Sequence, residues 1–184
     1  MEPPILFDPK THNHLIPSIV AVHEACITNE PYTIATFLPP LDLTVMANWW
    51  TDRVKEVIAG TRFIIMQLAS HPQTGKEVVA GIVSLDMPIS QTGPFRSMVE
   101  KLLVLPEYRN MGIAKRLMTK LEEVALGAGR PLILLDTVTG SPAELVYPKL
   151  GYTFVGVIPD YGISPKDGSL GGATLFYKDL RRGK

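Results

Sequence analysis

Apolar residues recur at the spacing of an amphipathic helix in three parts of the chain. The pattern predicts a first helix that Thr11 caps, a second helix that Asp42 caps and Gly60 ends, and a third helix over residues 112–126. The predicted buried faces are, in chain order, Leu15, Ile19, Val22 and Cys26, then Met46, Trp50, Val54 and Val57, then Ile113, Leu117, Leu121, Val124 and Ala125.

Shorter apolar and β-branched runs predict strands at residues 5–7, 61–69, 78–85, 96–105, 132–136, 153–158 and 173–177. The run that ends at Asp136 is apolar throughout, which is typical of a strand covered on both faces. Ser141, Pro142 and Glu144 form a capping-box pattern, so a fourth helix is predicted to begin there and to end at Gly151. The segment 159–172 is rich in glycine and proline and is predicted to be a loop.

This order of elements favours an α/β fold with a mixed sheet of about seven strands and helices on both faces. The strand–helix–strand unit over residues 99–136 is expected to be parallel. Neither a repeat nor a linker divides the chain, so we expect residues 1–184 to form a single domain.

Composition narrows the classes of partner. Eighteen acidic residues balance eighteen basic ones, which argues against nucleic acid or an anionic membrane as the partner. The single cysteine, Cys26, excludes an intrachain disulfide and suits a reducing compartment. The four histidines lack the spacing of a helical metal site, so we expect no metal. With neither a leader-like start nor a long apolar run, a cytoplasmic location is expected, with nuclear entry left open.

The segment from Val99 to Ala114 carries the most informative motif. Its apolar strand ends at Pro106, and a turn of the form Arg109-x-x-Gly112-x-Ala114 leads directly into the third helix. The start of a helix presents unpaired backbone N–H groups and a positive dipole end, and a glycine there lets a ligand approach the backbone closely. The pattern therefore predicts a pyrophosphate cradle, although it lacks the lysine of a nucleoside-triphosphate loop and the three glycines of a dinucleotide fold.

A second segment, residues 141–152, contains a Tyr147-x-Lys149-x-Gly151-aromatic pattern. The two segments together resemble the GNAT superfamily of acetyl-CoA-dependent N-acetyltransferases. The resemblance implies a sheet that is splayed at its centre, between the strands at residues 97–105 and 131–137. Over residues 99–180 the chain is most similar to the tabtoxin-resistance type of this superfamily, on the matches Leu135-Asp136-Thr137, Ala143, Tyr147, Pro159, Tyr161 and Phe176-Tyr177-Lys178.

The same resemblance implies how acetyl-CoA is bound. Strand backbone near Val104, left free by the splay, is expected to pair with the pantetheine arm, and the turn amides to bind the pyrophosphate. The hydroxyl of Tyr147 is expected to protonate the departing thiolate. The implied cofactor-binding residues are Leu102, Leu103, Val104, Arg109, Asn110, Met111, Gly112, Ile113, Ala114, Lys115 and Tyr147. Two departures stand out: Gly140 replaces an asparagine common in the family, and Pro148 should distort the helix beside Tyr147.

Two carboxylates compete for the role of general base. An amine with a pKa of about 10.4 is neutral in roughly one molecule in 10³ at pH 7, so a base speeds its acetylation. Glu100 matches a base position of the superfamily, and an ordinary ion pair with Arg96 or Lys101 is its alternative reading. Asp136 ends the next strand and is expected to face the same cleft, as a base or as a ligand of the substrate ammonium.

For the acceptor we expect a small, amino-acid-like primary amine, in keeping with detoxification of a toxin or antibiotic. Asp136, Tyr161 and Trp49 are the expected substrate-binding residues, whereas Trp50 lies on an apolar stripe and is expected in the core. The loop 159–172 is expected to act as a lid over this pocket. A peptide or protein N-acetyltransferase and a non-catalytic acyl-CoA-binding module are the alternatives, and the protein is expected to be a monomer or a homodimer.

Overall fold

The computed structural model describes residues 1–182 and contains one seven-stranded sheet. In chain order the strands are β1 (Ile5–Leu6), β2 (Arg62–Ser70), β3 (Glu77–Asp86), β4 (Arg96–Val104), β5 (Leu132–Val138), β6 (Thr153–Ile163) and β7 (Leu170–Asp179). The helices are α1 (Ile16–Thr28), α2 (Leu43–Ile58), α3 (Ile113–Gly127) and α4 (Val146–Lys149). Within residues 1–182 we find no helix with the length and apolar character needed to cross a membrane.

The strands lie in the order β1-β2-β3-β4-β5-β7-β6, and only the β4–β5 pair is parallel. The mixed α/β sheet predicted from the sequence is therefore confirmed. The parallel pair hydrogen-bonds only where Arg96–Met98 faces Leu132–Leu134. Beyond these residues the two strands diverge, as the family resemblance implied. The divergence opens a cleft at the carboxyl ends of β4 and β5, where ligands bind in folds of this kind.

Two apolar cores flank the sheet. On one face α1 and α2 pack against β2, β3 and β4, and on the other face α3 packs against β2, β3 and β4. Asp42 caps α2 as predicted, since its carboxylate accepts hydrogen bonds from the amides of Thr44 and Val45 at 2.8 and 3.1 Å. The predicted cap at Thr11 is wrong: a 3-10 turn at Asn13–Leu15 precedes α1, which has no side-chain cap.

Trp50 lies in the core, as predicted, and is fully buried. Its indole nitrogen donates a hydrogen bond to Nδ1 of His23 at 3.2 Å, and Nε2 of His23 donates to the carbonyl of Ala35 at 2.9 Å. Burial lowers the pKa of His23 to about 4, so this imidazole is neutral at physiological pH and acts as a structural link between α1 and α2.

Strand β5 differs from its prediction. Ile133 and Leu135 are buried, but Leu134 is 39 % exposed, so this strand is covered on one face only. The reason is that α1 and α2 reach only as far as β4 on their side of the sheet. The opposite side of β5, β6 and β7 has no helix over it among the described residues. Apolar composition alone did not distinguish these two arrangements.

The C-terminal strands are longer than predicted, which corrects the loop assigned to residues 159–172. β6 and β7 form a hairpin that is joined by residues 164–169 only. A bulge places Pro159, Asp160 and Tyr161 opposite the single residue Gly172, and Asp160 takes a φ of +52°. Proline and glycine are tolerated there because β6 is an edge strand and a bulge needs irregular backbone. The segment is therefore part of the sheet rather than a lid.

Candidate active site

The divergence of β4 and β5 creates a cleft of about 910 Å³. Its walls are the second half of β4, the start of α3, the end of β5 with α4, the β6–β7 bulge, and the loop after α1. The residues that line it and that the sequence had singled out are Glu100, Leu102, Leu103, Val104, Arg109, Asn110, Gly112, Ile113, Ala114, Lys115, Asp136, Tyr147 and Tyr161. The tertiary structure thus brings most of the expected site residues to one cavity, but Met111 and Trp49 do not line it.

The start of α3 forms an open anion cradle. Gly112 is the N-cap at a φ of +75°, and the first capping bond runs from the amide of Arg116 to the carbonyl of Gly112 at 3.1 Å. The amides of Ile113, Ala114 and Lys115 therefore lack helical partners and are available to a ligand. A Cβ added at Gly112 would meet nothing within 4 Å, so the space beside the backbone is open. These features fit a pyrophosphate group.

The side chain of Arg109 has a different role from its backbone. Its guanidinium donates to the carbonyl of Val104 at 3.2 Å and to the carbonyl of Glu30, and so ties the loop after α1 to the end of β4. The thiol of Cys26 also donates to Val104, at 3.4 Å. The carbonyl of Val104 therefore already accepts hydrogen bonds within the protein, and the expected pairing of nearby strand backbone with a pantetheine arm stays a prediction for the other groups of this part of β4.

The segment that carries Tyr147 is shorter and less regular than predicted. A 3-10 turn (Pro142–Leu145) is followed by the single turn α4, because Pro148 cannot donate a helical hydrogen bond. The side chain of Ser141 does not cap this segment. Instead, the carboxylate of Glu144 accepts from the amide of Gly140 and from the hydroxyl of Thr174, both at 2.6 Å. The predicted capping box is therefore replaced by a link to β7.

Tyr147 is almost fully buried, although it lines the cleft. Its ring packs against the rings of Tyr152 and Phe176, with centroids 5.8 and 5.6 Å away. Burial, and secondarily the negative charge of Asp136, raise the pKa of Tyr147 above its ordinary value. The phenol therefore stays protonated at neutral pH, which suits a proton donor rather than a base.

The two candidate bases have different surroundings. Asp136 lies in the cleft at the end of β5, and burial raises the pKa of its carboxyl, while the positive charge of Lys101 acts in the opposite direction. Glu100 accepts a hydrogen bond from Nη1 of Arg62 at 2.8 Å. That partner is neither of the two basic residues expected from the sequence.

Arg62 is a site residue that the sequence analysis missed. It is 4 % exposed, and its guanidinium also forms ion pairs with Glu56 and with Asp86, the latter at 3.1 Å. A fourth contact of Arg62 is a hydrogen bond to the hydroxyl of Ser84. An arginine at the start of an apolar strand was the only sequence signal for this network.

Lys101, expected from the sequence only as a possible ion-pair partner of Glu100, lines the cleft between Glu100 and Leu102. Its ammonium lies 5.4 Å from the ring centroid of Trp49, one of the expected substrate-binding residues. Trp49 packs beneath Lys101 against Phe37 and Trp50. Tyr161 is 58 % exposed at the mouth of the cleft.

Comparison with known proteins identifies the family. The family described as Acetyltransferase (GNAT) matches residues 31–152, about two thirds of the chain. The fold resembles yncA from Salmonella typhimurium, solved with its cofactor acetyl-CoA (16 % identity, 98 % of this chain and 95 % of that chain, TM-score 0.72). It also resembles a GNAT superfamily phosphinothricin acetyltransferase from Sinorhizobium meliloti, in complex with acetyl-CoA (19 %, 97 % and 89 %, TM-score 0.72).

A third similar structure is a ribosomal-protein-alanine N-acetyltransferase from Brucella melitensis (16 % identity, 96 % of this chain and 99 % of that chain, TM-score 0.72). At these identities the likeness establishes a shared fold. The proteins that share it differ in acceptor, so the acceptor must be inferred from the cleft itself.

Proposed function

We propose that this chain, which belongs to the GNAT family of acetyltransferases, transfers the acetyl group of acetyl-CoA to the primary amine of a small, amino-acid-like molecule. The chain is an acetyl-CoA-dependent N-acetyltransferase, and the nature of the acceptor is the proposal. The proposal includes a role in the detoxification of such an amine, which the tabtoxin-resistance pattern over residues 99–180 supports.

The arrangement of the cleft carries this proposal. The anion cradle at Gly112 lies at one part of the cavity wall, and Tyr147 and Asp136 lie at another, on the far side of the β4–β5 divergence. One continuous cavity therefore offers a site for a phosphorylated cofactor, a proton donor and a carboxylate. A direct transfer needs these three groups around one reaction centre.

Each protein group has a defined task in the proposed mechanism. The bound cofactor supplies the thioester that reacts with the amine. The amides of Ile113, Ala114 and Lys115 hold the pyrophosphate, and the backbone of Leu102 and Leu103 lies along the β4 wall of the cleft.

Asp136 accepts the proton that the substrate ammonium must lose before it attacks, and the hydroxyl of Tyr147 donates a proton to the departing sulfur. The raised pKa values of both groups fit these tasks, because an effective base has a pKa closer to neutrality and a donor must be protonated. Glu100 is less available as a base because Arg62 already binds its carboxylate.

A comparison of acceptors tests the proposal. The value of kcat/KM is measured, by release of free thiol from acetyl-CoA, for a panel of amino acids and small amines and for peptides with lysine or a free N-terminus. We expect the best small amine to exceed the best peptide by about tenfold or more, with Tyr147→Phe as the low-activity control. A preference for peptides by two orders of magnitude would show that the acceptor is a protein.

A further inference from the structure

Lys101 occupies an unusual backbone position in the wall of the cleft. β4 bulges at this point, so that Lys101 and Leu102 together face the single residue Val83 of β3. Lys101 takes a φ of +54°, a conformation that costs a residue with a side chain free energy and that glycine adopts more readily. Such conformations concentrate at functional sites, where the strain serves to aim a side chain.

The ammonium of Lys101 is largely enclosed, but no acid pairs with it directly. Among residues 1–182, no carboxylate oxygen comes within 4.0 Å of its Nζ atom. The ammonium lies over the face of Trp49, 5.4 Å from the ring centroid. Burial lowers the pKa of Lys101, and the negative charges of Glu100 and Asp136 offset this only in part. A buried cation without a bonded anion is unfavourable, so this ammonium has an unmet requirement for one.

The charges around the cleft show what kind of anion fits. Glu100 on β4 is already bound by Arg62, a guanidinium that it shares with Glu56 and Asp86. Asp136 on β5 and Lys101 on β4 line the cleft on opposite sides of the divergence, one negative and one positive, and neither forms an ion pair within 4.0 Å among residues 1–182. A molecule that carries both an ammonium and an acid group is complementary to this pair.

We infer that Lys101 binds an anionic group of the acceptor, a carboxylate or an oxyacid of similar size, while Asp136 faces its amine. Lys101 is thus a specificity-determining residue, and this inference rests on the proposed function. It implies that the enzyme selects zwitterionic amines over amines that carry no acid. Since a hydrogen bond to a charged group is among the stronger polar contacts, its loss should lower the selectivity about 10- to 100-fold.

The kinetic test compares each amino acid with its carboxamide, which has the same side chain and a neutral group in place of the acid. The ratio of the two kcat/KM values is measured for the wild type and for Lys101→Met. Dividing one ratio by the other cancels the difference in basicity between the two amines. Lys76→Met is the matched control, since it removes one lysine from an exposed hairpin turn that does not line the cleft.

We expect the preference for the acid to fall about 10- to 100-fold in Lys101→Met, to stay at the wild-type value in Lys76→Met, and to be partly retained in Lys101→Arg. Melting temperature and acetyl-CoA affinity verify that each variant is folded and binds the cofactor, and Lys101→Gln is a second variant if Lys101→Met does not fold. An unchanged acid-to-amide ratio in folded Lys101 variants would overturn the inference.

A binding measurement separates this inference from the proposed function. An N-acetyl amino acid and its N-acetyl amide are titrated while tryptophan fluorescence is recorded, because the ammonium of Lys101 lies over Trp49. We expect a saturable change in fluorescence with the acid and none with the amide. Lys101→Met should abolish this change because the acid no longer binds, and Trp49→Phe should abolish it because the reporting indole is missing. If peptides prove to be the better acceptors but this response is present, the anion site stands and the small-molecule function fails. If small amines are acetylated without this response, only the role of Lys101 fails.

Discussion

Substitution of Gly112 by glutamate should remove acetyl-CoA binding with little effect on folding beyond backbone strain. Gly112 has a φ of +75°, and a Cβ there meets no atom within 4 Å. A side chain in this left-handed conformation costs about 1–2 kcal/mol, or about 2–8 °C in the melting temperature of a domain of this size. The added carboxylate would lie beside the unpaired helix amides, where the pyrophosphate is expected to bind.

Gly129 provides a matched control. It lies two residues beyond the end of α3, at a φ of +70°, and a Cβ there also meets nothing within 4 Å. Gly129→Glu therefore introduces the same strain and the same charge, but outside the cleft. A negative charge is favourable at a helix N-terminus and unfavourable at a C-terminus by about 0.3–1 kcal/mol, so Gly112→Glu should be the more stable of the two without ligand.

The assay is thermal unfolding with and without acetyl-CoA. At 100 times the dissociation constant, the ligand stabilises the folded state by about 2.7 kcal/mol, which corresponds to a shift of about 5–11 °C. We expect this shift in the wild type and in Gly129→Glu, and no shift in Gly112→Glu at the same concentration. An equal shift in all three proteins would refute the assignment of the cradle to the start of α3.

Four further substitutions test the remaining site residues. Tyr147→Phe should lower kcat about 10- to 10³-fold with little change in acetyl-CoA affinity, and an unchanged kcat with chemistry rate-limiting would exclude Tyr147 as the proton donor. Burial raises the pKa of Asp136 above its ordinary 3.8, so the ionised form destabilises the fold as pH rises through that raised pKa. Asp136→Asn should therefore melt at a higher temperature than the wild type at pH 7 and lose this advantage near pH 4. In the pH dependence of kcat/KM, Asp136→Asn should remove the acid limb, whereas Glu100→Gln should leave that limb in place. Arg62→Met should lower the free energy of unfolding, measured in urea, by about 2–4 kcal/mol. This loss is at the low end for a broken buried ion pair because the acidic partners of Arg62 are 30–33 % exposed. A loss below about 1 kcal/mol would contradict a stabilising network.

Short-range patterns in the sequence were sufficient for the three long helices and for the place of the turn that is expected to form the cradle. The apolar spacing located α2 and α3, and the side chain of Asp42 made the cap that the sequence predicted. The turn from Arg109 to Ala114 kept its predicted place between strand and helix. These features depend on residues within about one helical turn of each other, so local sequence determines them.

Only the tertiary structure decided which distant residues meet. Arg62 pairs with Glu100 across 38 positions, and Arg109 reaches the carbonyl of Glu30 across 79, because strand order and loop path set these contacts. Lys101 faces the cleft over Trp49 since β4 bulges there, a shift of register that alternation of apolar residues does not reveal. The sequence by itself therefore determined the family, the three long helices and the place of the turn that is expected to bind an anion. The arrangement of charges at the acceptor side follows from the register of the strands, because register decides which side chains share one wall of the cleft.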